Sequence, residues 1–223
     1  MTRLELADGI AHIQLDDGKV NAMSSAFMAE LGKALDQAEA AGAVTVLRGR
    51  PGIFSAGFDL GTFQRGREAT LEMLRAGARL IERLLAFPRP VLTACTGHAY
   101  PMGAFLMLAA DVRFAVSGPW KIGMNEVAIG LTVPRFAIEL ARHRLTPPGF
   151  ARITTAAMFA PDEARELGYV DRVLERAQLD AAVQEEALRL GKLDMTAYAG
   201  TKARVNERVR AAVRAAIAEE LAS

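Results

Sequence analysis

One cysteine in 223 residues removes two possibilities at once: no internal disulfide can form, and no cysteine-based zinc cage can assemble. Cys95 sits between "VLTA" and "TGHA", the setting of an inert buried thiol. An excess of either charge is also lacking, with 27 Lys plus Arg against 26 Asp plus Glu, so the overall field draws the chain neither to nucleic acid nor to an anionic membrane. Long apolar runs are missing. The stretch from His98 to Ala110 falls short of the ~20 residues that cross a bilayer and is broken by Pro101 and Gly103. The opening "MTRLELADGIAHI" has no continuous apolar core of a secretory signal and alternates with period two, as a strand does. A cytoplasmic location, with neither a membrane nor a nucleic-acid partner, is expected.

Several motifs are absent as well. No strand leads into Gly-x-Gly-x-x-Gly, and Gly-x-x-x-x-Gly-Lys-Ser/Thr does not occur, so neither a dinucleotide nor a nucleotide phosphate is supported. His12, His98 and His143 are dispersed without His-x-x-x-His spacing, and no metal site is expected. The Gly-x-Ser-x-Gly elbow is lacking too. Ser55, on a glycine-containing turn, could complete a triad with His98 and Asp111, but between Phe54 and Ala56 it reads first as a small structural residue.

What is present is a chain that is 51% hydrophobic, enough for a sizeable core. Strands over 4–6 and 10–15 flank "ADG", a hairpin turn. After the polar loop "DDGKVNAMSS", Ser24 or Ser25 caps a helix whose apolar positions Phe27, Leu31, Leu35 and Ala38 recur at helical spacing and end near Gly42. "AVTVLRG" lacks a polar face, as does a strand covered on both sides. Leu71, Leu74, Ala78, Ile81 and Leu85 mark a second amphipathic helix, stopped by "PRP". The strand "VLTACTG", the all-apolar helix "PMGAFLMLAADV" and the strand "VRFAV" follow. Strand, loop and helix thus recur between residues 4 and 115, which predicts an α/β layer structure with right-handed crossovers and function on the loops. "APDEARELGYVDRVL" predicts a helix started by Pro161 and Asp162, a glycine stop and a short strand. Residues 179–223 are predicted helical, and their apolar positions need a surface that a second subunit could supply. A core domain over 1–178 with a helical extension over 179–223 is expected.

Three loops carry candidate chemistry. In "FSAGFDL" the pair Ala56-Gly57 leaves backbone N–H groups open to a ligand oxygen, and "GHAYPMGAFL" opens a buried helix near Pro101, whose first-turn amides are free donors. Two such loops on adjacent strands could aim two amides at one oxygen, as an oxyanion requires. In "IGMNEVAIGLTVP" the only ionisable side chain is Glu126. A buried carboxylate without a partner is costly, so this one needs a reason. Two readings stay open on the residues alone: an acid paired to an arginine such as Arg135 or capping a helix, or a proton carrier. Asp59 reads as a loop-fixing residue or as a second acid.

The segments "VNAMS", "IFSAGFDL", "GHAYPMGAFLMLAADVRFA", "IGMNEVAIGLTVP" and "APDEARELGYVDRVL", in this order, resemble the crotonase or enoyl-CoA hydratase/isomerase family over nearly the whole chain. The resemblance implies a spiral of repeated β-β-α units, with C-terminal helices that help build a homotrimer or a dimer of trimers. It also implies an acyl-CoA thioester substrate that carries its own coenzyme A, and no separate cofactor. The thioester oxygen then falls to the backbone N–H groups of Phe58 and Met102, and the CoA moiety to Val20, Ala22, Ala56, Phe58, Asp59, Leu60 and Gly61. Lys202 and Arg204 resemble a basic C-terminal helix that approaches CoA phosphates, with a solvated helix face as the other reading.

Hydratases of this family use two glutamates. The first position is Phe105 here, and the second is Glu126. Water addition needs two proton-handling groups, whereas moving a double bond needs one. The segment with Asn125 before Glu126 further resembles Δ3,Δ2-enoyl-CoA isomerases. Pro101 and Met102 depart from the glycines usual before Gly103. The expectation is an isomerase of fatty-acid oxidation with Glu126 as its single base and acid. The alternatives are an enoyl-CoA hydratase or other crotonase-type lyase, and a non-catalytic acyl-CoA-binding protein.

Overall fold

The computed structural model describes residues 2–222. The chain begins with β1 (Thr2–Ala7), β2 (Ile10–Leu15), β3 (Ala22–Met23), α1 (Ser25–Ala40), β4 (Val44–Arg48), β5 (Gly52–Ser55), β6 (Gly57–Phe58), α2 (Leu60–Phe63) and α3 (Arg67–Ala86). It continues through β7 (Val91–Cys95), β8 (Gly97–Ala99), α4 (Pro101–Ala109), β9 (Val112–Val116), β10 (Ile122–Gly123), a 3-10 turn (Glu126–Ile129) and α5 (Arg135–Arg144). It closes with α6 (Pro147–Ala151), a second 3-10 turn (Arg152–Thr155), β11 (Met158–Phe159), α7 (Pro161–Glu166), β12 (Arg172–Leu174), α8 (Arg176–Gly191), α9 (Met195–Val205) and α10 (Glu207–Glu219).

The hairpin β1–β2 turns at Asp8 and Gly9, whose φ values of 52° and 75° supply the two left-handed residues that a tight two-residue hairpin needs. Ser24 is the N-cap of α1, its hydroxyl accepting the Phe27 N–H, and Phe27, Leu31, Leu35 and Ala38 form the buried stripe. In the large sheet, ordered β1-β2-β4-β7-β9-β12, all pairs beyond the hairpin are parallel. Val44, Val46, Leu92 and Phe114 face Leu179, Val183 and Ala187 of α8, while Leu47, Cys95 and Ala115 face the main core beneath α1, α3 and α4. Both faces are therefore covered, which is why these strands lack a polar side.

After β4, β7 and β9 the chain leaves this sheet, adds β5, β8 or β10 to a second sheet ordered β11-β10-β8-β5, and returns through a helix. This is a spiral of β-β-α turns, as the family resemblance implies. Gly97 lets β8 lie against β5: a Cβ there would sit 1.9 Å from the Gly52 carbonyl carbon.

One face of the C-terminal helices is packed within the chain, while Leu188, Leu193 and Val205 stay exposed. Val209, Val213 and Ala216 of α10 join the main core, where α10 lies on α3 and α5. The cover expected from a second subunit is supplied to these positions by the same chain. Position 179 falls inside α8, whose buried face closes one side of the large sheet. Met1 and Ser223, the outer ends of the expected core and extension, lie outside the described residues.

Candidate active site

Strands β10, β8 and β5 are neighbours and run parallel, so the loops that leave their C-terminal ends emerge side by side. These loops hold Ala56 and Phe58, then Tyr100 and Pro101, then Asn125 and Glu126. Together they wall a cavity of about 400 Å³. Leu60, Phe63, Thr70 and Leu74 of α2 and α3 form a second wall, and Ile129, Leu131, Thr132 and Pro134 a third. Most of this lining is apolar. Among the described residues that line it, Glu126 is the only acid, and no Lys, Arg or His takes part.

Glu126 opens the 3-10 turn and is 5% exposed. Neither carboxyl oxygen has a hydrogen-bond partner. Arg135, the candidate ion-pair partner, instead binds Glu219 at 2.7 Å and gives its own N–H to Glu220. Burial pushes the Glu126 pKa up from 4.5 to about 7, against a smaller opposing pull from its own backbone N–H. Tyr169, also buried, is pushed up by burial and then by the Glu126 charge, so it stays neutral over the range in which Glu126 titrates. The paired-acid and helix-cap readings of Glu126 are thereby removed.

The other expected site residues divide into two groups. Ala56, Phe58 and Leu60 line the cavity with Glu126. Met102 does not: its side chain is fully buried and points with the Phe58 ring toward Gly77 of α3. Its backbone lies in the first turn of α4, directly after cavity-lining Pro101, and Tyr100 at the N-cap makes no side-chain cap. Asp59 gives its N–H to Met23 O, and strand amides alternate in direction, so the Phe58 amide faces away from β3.

Val20, Ala22, Asp59 and Gly61 stand beside the cavity rather than on its wall. Val20 is 49% exposed, Ala22 pairs with Gly57, and Asp59 caps α2 by accepting the Gly61 N–H and the Thr62 hydroxyl. Asp59 is therefore a loop-fixing residue.

Phe105, which the family resemblance matches to the first hydratase glutamate, is fully buried between Phe58 and Phe136, with ring centroids 6.4 and 5.7 Å away in edge-to-face packing. The triad alternative disperses. The Ser55 hydroxyl binds Asn21 O, His98 Nδ1 accepts the Lys121 N–H, and Asp111 holds Lys202. Lys202 departs from both of its readings, being 6% exposed and paired at 2.7 Å to Asp111. Cys95 is a buried thiol pushed up to about 12 by burial. Phe63, Thr70, Leu131, Thr132 and Pro134 carry no chemical signal in the sequence that marks them as wall residues.

Comparison with known proteins agrees with this fold. Residues 5–222 match the family model described as enoyl-CoA hydratase/isomerase. A crystal structure of an enoyl-CoA hydratase/isomerase family protein from Pseudomonas syringae superposes with a TM-score of 0.97 at 40% identity, covering 99% of this chain and 96% of that one. An apo structure of a Mycobacterium tuberculosis protein, named an enoyl-CoA isomerase there and a probable enoyl-CoA hydratase in another crystal structure of the same protein, gives 0.92 at 37% identity, covering 97% and 95%. A probable enoyl-CoA hydratase of Bacillus subtilis is 31% identical over 186 residues, 78% of this chain and 71% of that protein. A spiral of β-β-α turns, a cavity at the ends of three parallel strands and a match over almost the full length place the chain in the enoyl-CoA hydratase/isomerase family.

Proposed function

We propose that the chain is an acyl-CoA isomerase that moves a double bond from the 3 to the 2 position. Glu126 takes a proton from C2 of a 3-enoyl-CoA, the double bond shifts from C3–C4 to C2–C3, and the same carboxyl returns the proton to C4. The thioester oxygen, which gathers negative charge in the dienolate between these steps, is held by the backbone N–H groups of Phe58 and Met102. The observation that carries this reading is a lone carboxyl, buried and unpaired, on an otherwise uncharged wall. A pKa near 7 suits a group that must both accept and donate a proton near neutral pH.

Hydration is the second reading, favoured by the name of the Bacillus subtilis relative. It needs one group to activate water and another to protonate carbon, and Phe105 fills the position of the other carboxyl. The purified protein should therefore convert 3-enoyl-CoA to 2-enoyl-CoA at least about 100-fold faster than it adds water to 2-enoyl-CoA, since a missing acid or base group typically costs that much. Equal rates, or faster hydration, point to the hydratase. Tight acyl-CoA binding with no turnover of either substrate points to a non-catalytic binder.

A further inference from the structure

Strands β3 and β6 contain two residues each, so their ladder alone is a weak support for the Phe58 amide. A polar network supplies what the ladder lacks. Asn21 is fully buried and sits at φ 54°, a left-handed conformation that asparagine tolerates better than most side chains. Its Nδ2 group donates to Leu15 O at 2.9 Å and to Phe54 O at 3.1 Å, joining the ends of strands from two different sheets. Its Oδ1 accepts the Asp17 N–H at 3.0 Å, and its own N–H goes to Asp17 Oδ1 at 2.8 Å.

Ser55 continues the network toward both amides. Its hydroxyl donates to Asn21 O at 2.7 Å and accepts the Gly57 N–H at 3.1 Å, one residue before Phe58. Its carbonyl accepts the Tyr100 N–H at 2.9 Å, two residues before Met102. It also packs tightly on α4, where a Cβ on Gly103 would lie 2.9 Å from the Ser55 Cβ. One buried residue is thus bonded to the backbone beside each proposed oxyanion donor.

We infer that Asn21 and Ser55 are positioning residues that set the spacing of the Phe58 and Met102 amides, so that both reach one thioester oxygen. This rests on the acyl-CoA reading of the site. Neither side chain lines the cavity, so both act through the backbone they hold. Misplacing a catalytic group by about 1 Å can cost about 100-fold in rate, which makes such a brace consequential.

The test uses Ser55→Ala, which removes one oxygen, and Asn21→Gly, which removes the side-chain bonds while keeping the left-handed conformation free of strain. Turnover of 3-enoyl-CoA and the near-ultraviolet enolate band of bound acetoacetyl-CoA are read on the folded proteins. Both variants should lose about 10- to 100-fold in kcat with KM nearly unchanged, and should show a weaker enolate band than the wild type. A merely structural role lowers thermal stability and leaves kcat and the band where they were, and that result overturns the inference. A wild-type protein that neither turns over an enoyl-CoA nor enolises bound acetoacetyl-CoA overturns the acyl-CoA reading itself, and the inference with it. Should Asn21→Gly fail to fold, the single-oxygen change at Ser55 still decides between these outcomes.

Discussion

Replacing Glu126 by Gln should lower turnover of 3-enoyl-CoA by about 10²- to 10⁴-fold, the range that a positioned acid-base group contributes. Acyl-CoA binding should be nearly unchanged. Glutamine keeps the shape of the side chain and carries no transferable proton, and the apolar walls that would hold the acyl chain are untouched. The loss therefore falls on kcat and on kcat/KM together, the pattern of an interaction made only in the transition state. Near-wild-type turnover in the folded variant would remove Glu126 from the reaction.

The same substitution has a stability signature of known sign. The folded-state pKa of Glu126 is raised by burial from 4.5 to about 7. Stability contributed by the protonated form is fully present below pH 4.5 and is lost as pH rises through about 7. Glutamine never ionises and escapes that loss. Above that range Glu126→Gln should be more stable than the wild type by on the order of 1–3 kcal/mol, and the two should converge toward acid pH, as chemical denaturation at several pH values would read.

Phe105→Glu should destabilise the protein by about 3–5 kcal/mol and bring no gain in water addition. The hydratase analogy makes this substitution tempting, since it restores a carboxyl at the position where hydratases of the family carry their first glutamate. The ring, however, is fully buried between Phe58 and Phe136 and is not on the cavity wall. A carboxyl placed there loses two edge-to-face contacts and finds no hydrogen-bond partner among those rings. A denaturation midpoint close to wild type, or new hydration of 2-enoyl-CoA by a folded variant, would show that Phe105 belongs to the reaction surface and not to the core.

Much of the fold is legible from period and punctuation. The left-handed pair Asp8-Gly9, the Ser24 cap and the helical stripes of α1 and α3 follow from local chemistry, and the all-apolar strands follow from a sheet covered on both faces. The two-residue strands β3, β6, β10 and β11 are too short to carry a period, yet β10 aims Glu126 and β6 aims Phe58. Glu126 stands out in the sequence because a lone acid among apolar neighbours is costly. Its freedom from Arg135 is a tertiary fact, decided by where Glu219 lies.

Lys202 shows the opposite failure. A lysine on an alanine-rich helix reads as solvated, and only the fold brings Asp111 across to it. Leu74 and Leu131 are likewise indistinguishable in sequence from core leucines, because a wall facing an apolar ligand and a wall facing another side chain are built from the same residues. Asn21 and Ser55 look like ordinary loop residues, since their partners lie up to 45 residues away.

The account turns on one dry, unpartnered carboxyl, and its ionisation can be followed directly. Carbon-13 spectra of glutamate-labelled protein, recorded against pH and compared with Glu126→Gln, should show one carboxyl with a midpoint near 7 that is missing from the variant. A Glu126 resonance that titrates at or below the ordinary value of 4.5 would mean the side chain is solvated or paired with a cation, and would contradict the proposed proton transfer.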